Sequence, residues 1–317
     1  MRGAAGWRRS LVTGLTVLAV LAGCSGSDGP RVAGPSALDD DVVTVASFDF
    51  PESELLAEIY GQALEGAGIA VEQRHRLGPR ELVAPAMASG LVELVPEYVG
   101  TATQFVSVGT AAIEADPAAS HRALQAALAP TPVMALAASP AQDANTFVVT
   151  GATAREHGLR DLSDLRAVAS GLAFGGPPEC PSRPLCLGGL QTRYDLRFGE
   201  FVSLDAGGSM THQALRTGLV DVALVFSTDP DISAQGWVVL RDDRALQPAE
   251  NVTPLVRREL VARFGSNLVD TLDGVSAQLS TDALRDLNGQ VQAGRPAGEV
   301  AAAWLAEQAA SPRSGAG

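Results

Sequence analysis

The sequence predicts an α/β protein of two lobes with mostly parallel strands, and three observations carry that prediction. Short β-branched runs alternate with segments of helical periodicity. The order of these elements recurs in the second half of the chain. Once an N-terminal leader is set aside, about 270 of the 317 residues remain, enough for two lobes.

In the first half, Val42–Ala46 reads as a strand. Residues 53–67 follow as a helix, with apolar Leu55, Leu56, Ile59, Ala63 and Leu64 at helical spacing and Gly68 as its stop. Residues 69–74 read as a second strand, 80–89 as a second helix ended by Gly90, and 91–95 as a third strand running into Pro96-Glu97-Tyr98. In the second half, 173–175 ends a strand and a long loop carries Cys180 and Cys186. Residues 189–194 read as a short helix, 201–204 as a strand, 209–217 as a helix ended by Gly218, and 219–225 as a strand running into Phe226. The stretch 253–308 is expected to be largely helical. It has a helix start at Ser280-Thr281-Asp282 and a second amphipathic helix over 296–308 that carries Trp304, and it is expected to cover the first lobe.

The repeat is clearest where Ser89-Gly90-Leu91-Val92-Glu93-Leu94 aligns with Thr217-Gly218-Leu219-Val220-Asp221-Val222. At that offset Tyr98 falls on Phe226, and Leu77-Gly78-Pro79 nearly coincides with Ala206-Gly207-Gly208. Ligands of open α/β sheets bind outside the carboxyl ends of the strands. Two such sheets face to face make a cleft, and the matched rings are expected on opposite walls.

The N-terminus carries Arg2, Arg8 and Arg9, then a short apolar run from Leu11 to Leu21, too short to span a bilayer as a stable helix. It ends in Leu21-Ala22-Gly23-Cys24, which looks like the lipobox of bacterial lipoproteins. Residues 1–23 are therefore expected to be a signal peptide and Cys24 the site of lipidation; an ordinary signal peptide is the alternative. Residues 24–41 have the Ser, Gly, Pro and Asp content of a flexible tether. The expected lobes are 42–145 with 230–310, and 146–229. With Cys24 lipidated, Cys180 and Cys186 form an even pair in an oxidising compartment, and a disulfide is expected. A metal site is the competing reading, but zinc normally takes four ligands and no His lies nearby in sequence.

All 23 basic residues are Arg, and the formal charge of −13 becomes more negative once the leader leaves. No basic patch suggests nucleic-acid binding. His75, His121, His157 and His212 are scattered, and there is neither a metalloprotease His pair, nor a Gly-x-Ser-x-Gly elbow, nor a P-loop. Ser209 at a helix start reads as an N-cap rather than a nucleophile. An enzyme is not expected, and no metal or cofactor is implied.

The mature chain resembles the glycine betaine, choline and carnitine binding proteins of ABC importers. The resemblance covers residues 42–308. It rests on Pro96-Glu97-Tyr98-Val99-Gly100-Thr101, Phe174-Gly175-Gly176-Pro177-Pro178-Glu179 and residues 221–229, with Arg241-Asp242-Asp243 and Leu287-Asn288. It implies a type II periplasmic-binding fold with two crossovers, a cage of aromatic rings for a quaternary ammonium, and Arg or backbone N–H donors for a carboxylate. Position by position, Tyr98 and Thr101 match a cage Tyr and its neighbouring Thr. Phe147 and Phe226 fall where many members have further cage Tyr. Arg183 matches a carboxylate-binding Arg, and Ser47, Phe48 and Ser53 belong to the first ligand loop. Gly207 and Gly208 open a helix whose N–H groups are expected to hold a carboxylate.

Competing readings stand beside these. Phe147 and Phe226 are candidate core rings, and Arg183 is a candidate for a structural salt bridge. Glu97 and Asp229 either line the cleft or brace its loops; Asp49 and Glu52 are expected to cap the following helix. The implied partners are a small-molecule ligand, a permease with its cytoplasmic ATPase, and the membrane through the lipid anchor, with the protein extracytoplasmic and a monomer. A ligand sensor on the same fold is the alternative. Closure is expected about interlobe segments near 144–147 and 226–231.

Overall fold

The computed structural model describes residues 41–112 and 114–310; the expected signal peptide, Cys24 and the tether up to residue 40 lie outside these residues. The chain begins with β1 (Val42–Ala46), α1 (Pro51–Gly66), β2 (Ala70–Arg74), α2 (Arg80–Ser89), β3 (Leu94–Tyr98), α3 (Val99–Val106), α4 (Pro117–Leu128) and β4 (Val133–Ala135). It continues through β5 (Asn145–Val149), α5 (Gly151–His157), β6 (Ala173–Gly176), α6 (Leu187–Tyr194), β7 (Glu200–Ser203), α7 (Ser209–Thr217), β8 (Val222–Phe226), α8 (Asp231–Ala234) and β9 (Val238–Leu240). It ends with β10 (Val252–Arg257), α9 (Arg258–Gln278), α10 (Thr281–Gln292) and α11 (Ala297–Ala310).

Two five-stranded sheets result, ordered β2-β1-β3-β10-β4 and β7-β6-β8-β5-β9. In each, four strands run one way and the fourth in that order, β10 or β5, runs against them. The two antiparallel strands are those that follow a passage between lobes, as a two-lobed fold with two crossovers requires. Each sheet is covered on both faces. Leu55, Ile59 and Trp304 pack in one cluster of the first lobe and Val83, Met87 and Leu124 in the other. Phe147, Phe174 and Tyr194 pack in one cluster of the second lobe, and Leu215, Ile232 and Trp237 in the other.

The internal repeat is visible atom by atom. Gly90 and Gly218 end α2 and α7 in left-handed conformations, with φ of 83° and 72°. Just beyond, the Glu93 carboxylate accepts the amide of Thr44 at 3.1 Å, and the Asp221 carboxylate accepts that of Ala173 at 2.8 Å. An acidic residue thus pins the first parallel strand in both lobes. The two central strands start three residues later than the periodicity suggests, and for one reason. The amides of Leu91 and Val92 still bond to Ala86 of α2, and those of Leu219 and Val220 to Ala214 of α7. These residues finish the helix caps, and Leu91 and Leu219 stay exposed.

Three further expectations change. Residues 252–257 form strand β10, not helix, because Val252, Thr253 and Val256 are β-branched and lie between β3 and β4. The second lobe does not stop at residue 229: β9 pairs with β5, so Val238–Leu240 belongs to its sheet. The return passage is therefore made by 241–251 rather than 226–231. There Gln142 bridges Asn251, and the amides of Asp143 and Val252 bond to the carbonyls of Glu250 and Ala141. The two crossings run side by side as one narrow ribbon. Ser280 caps α10, its hydroxyl accepting the amide of Ala283, and α11 lays Trp304 into the α1 core. Cys180 and Cys186 are bonded, with Cα atoms 5.2 Å apart. Closing so short a loop contributes about 2 kcal/mol in the chain-entropy model.

Candidate functional site

The carboxyl ends of β1, β3, β7 and β8 converge on a cavity of about 1000 Å³ lined by both lobes. From the first lobe, the loop after β1 brings Phe48 and Phe50, and the end of β3 brings Tyr98. Phe48 and Phe50 stack at 6.1 Å with planes 7° apart, and Phe50 stacks on Tyr98 at 6.2 Å. Each aromatic ring carries a negative π face that attracts a cation. From the second lobe, Phe226 stands at the end of β8, 38% exposed. Gly207 lies beneath it: a side chain there would meet the Val225 backbone at 3.1 Å and the Phe226 ring at 3.5 Å.

The loop after β1 is held by hydroxyls. Ser53 Oγ accepts the Phe48 amide at 2.9 Å, and Ser47 Oγ accepts the Arg76 amide at 2.8 Å. Both serines are fully buried and support the wall rather than face the cavity. The Tyr98 hydroxyl donates to Glu52 at 2.7 Å, and Asn288 of α10 donates to the other Glu52 oxygen. Glu52, expected to cap α1, is therefore turned into the cleft, where Asp49 also lies, more exposed. Asp143 in the first crossing stands within hydrogen-bond reach of Glu52 and accepts from the Thr228 hydroxyl at 2.8 Å. Burial raises both carboxyls above their usual range, and for Asp143 the Glu52 charge adds to it. Two carboxyls so placed titrate as a pair rather than singly. Burial, then the Glu52 and Asp143 charges, also pushes the Tyr98 phenol well up, so it stays a donor.

Cationic groups on the walls are committed. Arg80, at the start of α2, makes two hydrogen bonds to buried Glu97 at 2.6 and 2.8 Å, with its guanidinium 5.2 Å from the centre of the Phe48 ring. Burial opposes its charge, but Glu97 more than restores it. His212 of α7 meets Asp229 at 2.6 Å through Nε2 and Asp231 at 3.0 Å through Nδ1. Burial opposes its protonation, yet the two carboxylates outweigh that and raise its pKa above the usual histidine value. Thr101 donates its amide and hydroxyl to Glu250, each at 3.0 Å. Gly100 makes that approach possible, since a side chain there would strike Pro248 and the Ala249 carbonyl within 3 Å.

Six of the ten ligand-loop residues singled out by sequence thus line the cavity: Phe48, Tyr98, Thr101, Gly207, Gly208 and Phe226. Three expectations need correction. Phe147 is 1% exposed and packs on Phe174, because β5 lies between β8 and β9 and this side chain points into the lobe's own core. Arg183 lies off the cavity, largely exposed, 3.5 Å from Glu179. The N-terminus of α7 is already satisfied: Asp205 accepts the amides of Gly208, Met210 and Thr211. Sequence reading also missed Phe50 as a wall residue, although the Phe48-Asp49-Phe50 spacing before a helix was a usable signal. Among the described residues, no group of three or more His, Cys, Asp or Glu is placed to hold a metal, and no helix is long and apolar enough to cross a membrane.

A two-lobed α/β body joined by one ribbon, with its cavity between the strand ends, is the architecture of a solute-binding protein. The chain belongs to the family described as the substrate binding domain of the ABC-type glycine betaine transport system, which it matches over residues 41–307. It is 28% identical over 276 residues to the glycine betaine-binding protein YehZ of Escherichia coli (strain K12), covering 84% of this chain and 90% of that one. It is 26% identical over 253 residues to the carnitine transport binding protein OpuCC of Listeria monocytogenes, covering 78% and 80%. Its fold is that of a crystal structure of a glycine betaine/carnitine/choline ABC transporter, with TM-score 0.78 and 23% identity over 84% of this chain and 98% of that one. The chain is thus the substrate-binding part of an ABC importer, acting outside the cytoplasm on a small molecule, with a permease as partner; it is not an enzyme.

Proposed function

We propose that this chain captures a quaternary ammonium compound in the interlobe cleft and hands it to its permease. The observation that carries this is the stack of Phe48, Phe50 and Tyr98 on one wall, with Phe226 from the other lobe lining the same cavity. A fully alkylated nitrogen has no N–H to donate, so ordinary hydrogen bonds cannot hold it, whereas aromatic faces attract it at roughly 0.5–2 kcal/mol each. The buried carboxyls beside the rings add favourable charge. Ligand contacts made to both lobes at once favour the closed form, with the 141–143 and 250–252 ribbon as the hinge.

The test is a thermal-shift screen of the purified body against glycine betaine, choline, carnitine, ectoine and amino acids, since a ligand of the native state raises its melting temperature. A rise with a quaternary ammonium compound alone is expected; a rise with amino acids alone removes the reading. The Leu21-Ala22-Gly23-Cys24 motif supports a lipid on Cys24 that holds a monomeric protein at the membrane. Cys24→Ser is then expected to move the protein from the membrane fraction to the soluble one. A sedimentation mass of one chain for the soluble body completes the check.

A further inference from the structure

The end of β8, which carries the second lobe's ring, is held by a helix of the first lobe. α10 packs Leu284 and Leu287 into the first-lobe core, with Val291 against it. Its neighbouring face carries Thr281, Arg285, Asn288 and Gln292, at the spacing of one helical stripe. That stripe runs along the boundary between the lobes. At one end the Thr281 hydroxyl accepts the amide of Gln142 in the ribbon at 3.0 Å, and at the other Gln292 lines the cavity.

Between those ends α10 grips the segment that follows β8. Arg285 donates twice to the Ser227 carbonyl, through Nε at 3.2 Å and Nη2 at 2.7 Å, and Asn288 donates to the Thr228 carbonyl at 3.3 Å. Gly289 lies against Pro230, where a side chain would meet the Pro230 ring at 3.3 Å. The chain does not change lobes here, since Ile232 and Trp237 beyond it pack in the second lobe's core, so these are contacts from one lobe to the other. The Arg285 side chain is only 14% exposed, yet it does not line the cavity. Its ion pair with Asp282, which is 88% exposed, contributes little. The charge-assisted hydrogen bonds to Ser227 are the stronger tie.

Ser227 directly follows Phe226. Its amide donates to the Ala144 carbonyl at 2.9 Å, and its hydroxyl donates to the Gln142 carbonyl at 2.9 Å. With amide, hydroxyl and carbonyl all taken, the end of β8 is fixed relative to the first lobe, and so is the backbone that carries the Phe226 ring. We propose that Arg285 is a positioning residue for the ligand site: from outside the cavity it ties Ser227 to α10 and thereby holds Phe226 in register with the wall of Phe48, Phe50 and Tyr98. Its effect on affinity rests on the quaternary ammonium reading above; its hold on the 226–231 segment does not.

The experiment compares the purified protein with Arg285→Ala, Arg285→Lys, Phe226→Ala and the Arg285→Ala, Phe226→Ala double variant, each titrated calorimetrically with choline and with glycine betaine. Arg285→Ala is expected to weaken the tighter of the two compounds by about two- to fivefold, no more than Phe226→Ala does. Arg285→Lys still brings a charged donor to the carbonyl and is expected to recover at least half of the loss. In the Phe226→Ala background the Arg285 replacement is expected to cost nothing further, because the ring it positions is gone. An equal loss in both backgrounds, or a lower melting temperature with affinity unchanged, overturns the proposal.

Amide hydrogen exchange over 226–231 gives a readout that needs no ligand. It is expected to run about tenfold faster in Arg285→Ala, with the amides of α9 unchanged; a rise spread evenly over the chain overturns the proposal. Failure of both compounds to bind the wild type removes the quaternary ammonium reading alone. Exchange over 226–231 that is no faster in the variant overturns the positioning role in either case. Arg285→Met, which keeps the aliphatic stem, takes the place of Arg285→Ala should that variant not fold.

Discussion

Tyr98 and Phe226 occupy the same place in two copies of one plan, at the end of the central parallel strand, yet they are held differently. Tyr98 is buried, stacked on Phe50, and tied through its hydroxyl to Glu52. Phe226 has no hydroxyl, is 38% exposed, and rests against the bare backbone of Gly207. The first lobe therefore carries a wall whose rings and carboxyls are already fixed. The second lobe offers one ring that gains burial only when something fills the gap. A matched pair of aromatics can thus divide the work, one as a platform and one as a cover.

The largest expected effect is the response to pH. Burial raises Glu250, against Thr101 of the first lobe, from 4.5 to about 7. A carboxyl raised in the native state binds more protons there than in the unfolded chain, so stability falls as pH rises from about 4.5 to about 7 and then levels off. The shift corresponds to about 3 kcal/mol. Glu52, Asp143 and His212 are raised as well and act in the same direction. Melting temperature is expected to drop over this interval in wild type, and Glu250→Gln to flatten the drop; equal slopes in the two proteins would remove Glu250 as a source.

Next in size is the platform itself. Tyr98→Ala is expected to weaken a quaternary ammonium ligand tenfold or more by calorimetry, about 1.4 kcal/mol or above. Tyr98→Phe keeps the face but strips Glu52 of its phenol donor, and an intermediate loss is expected. The cover should matter less. Phe226→Ala is expected to weaken the same ligand two- to fivefold, in keeping with roughly 0.5–1 kcal/mol for a ring at an exposed site. A larger loss at Phe226 than at Tyr98 would reverse the assignment of platform and cover. The smallest effect is expected at Arg183: its replacement by Ala should leave affinity within twofold of wild type, because its ion pair with Glu179 is exposed and off the cavity.

Much of the fold was legible because glycine caps and apolar periodicity are local signals. Gly90 and Gly218 mark their helix ends in sequence and in space. What failed was non-local. Leu91 and Leu219 look like strand residues until the carbonyls of Ala86 and Ala214 claim the amides beside them. Phe147 reads as a cage ring by alignment, but its fate depends on which face of β5 meets Phe174, and that is decided by strands β8 and β9 far away in sequence. The acidic pair was hidden for the same reason, since Glu52 and Asp143 meet only once the first crossing is laid against α1. Asp205 was open to local reading, four residues before the first residue of α7, where the opening amides of a helix need acceptors.

The ribbon between the lobes has a topological consequence. The chain leaves the first lobe at Ala141 and comes back at Val252, and these two residues are hydrogen-bonded neighbours at 2.9 Å. Everything between them is, in effect, an insert sewn into one seam of an otherwise continuous domain. Lengthening, trimming or exchanging that insert leaves the strand order of its host untouched, so the covering half of the receptor is free to diverge while the half that carries the ring platform stays the same.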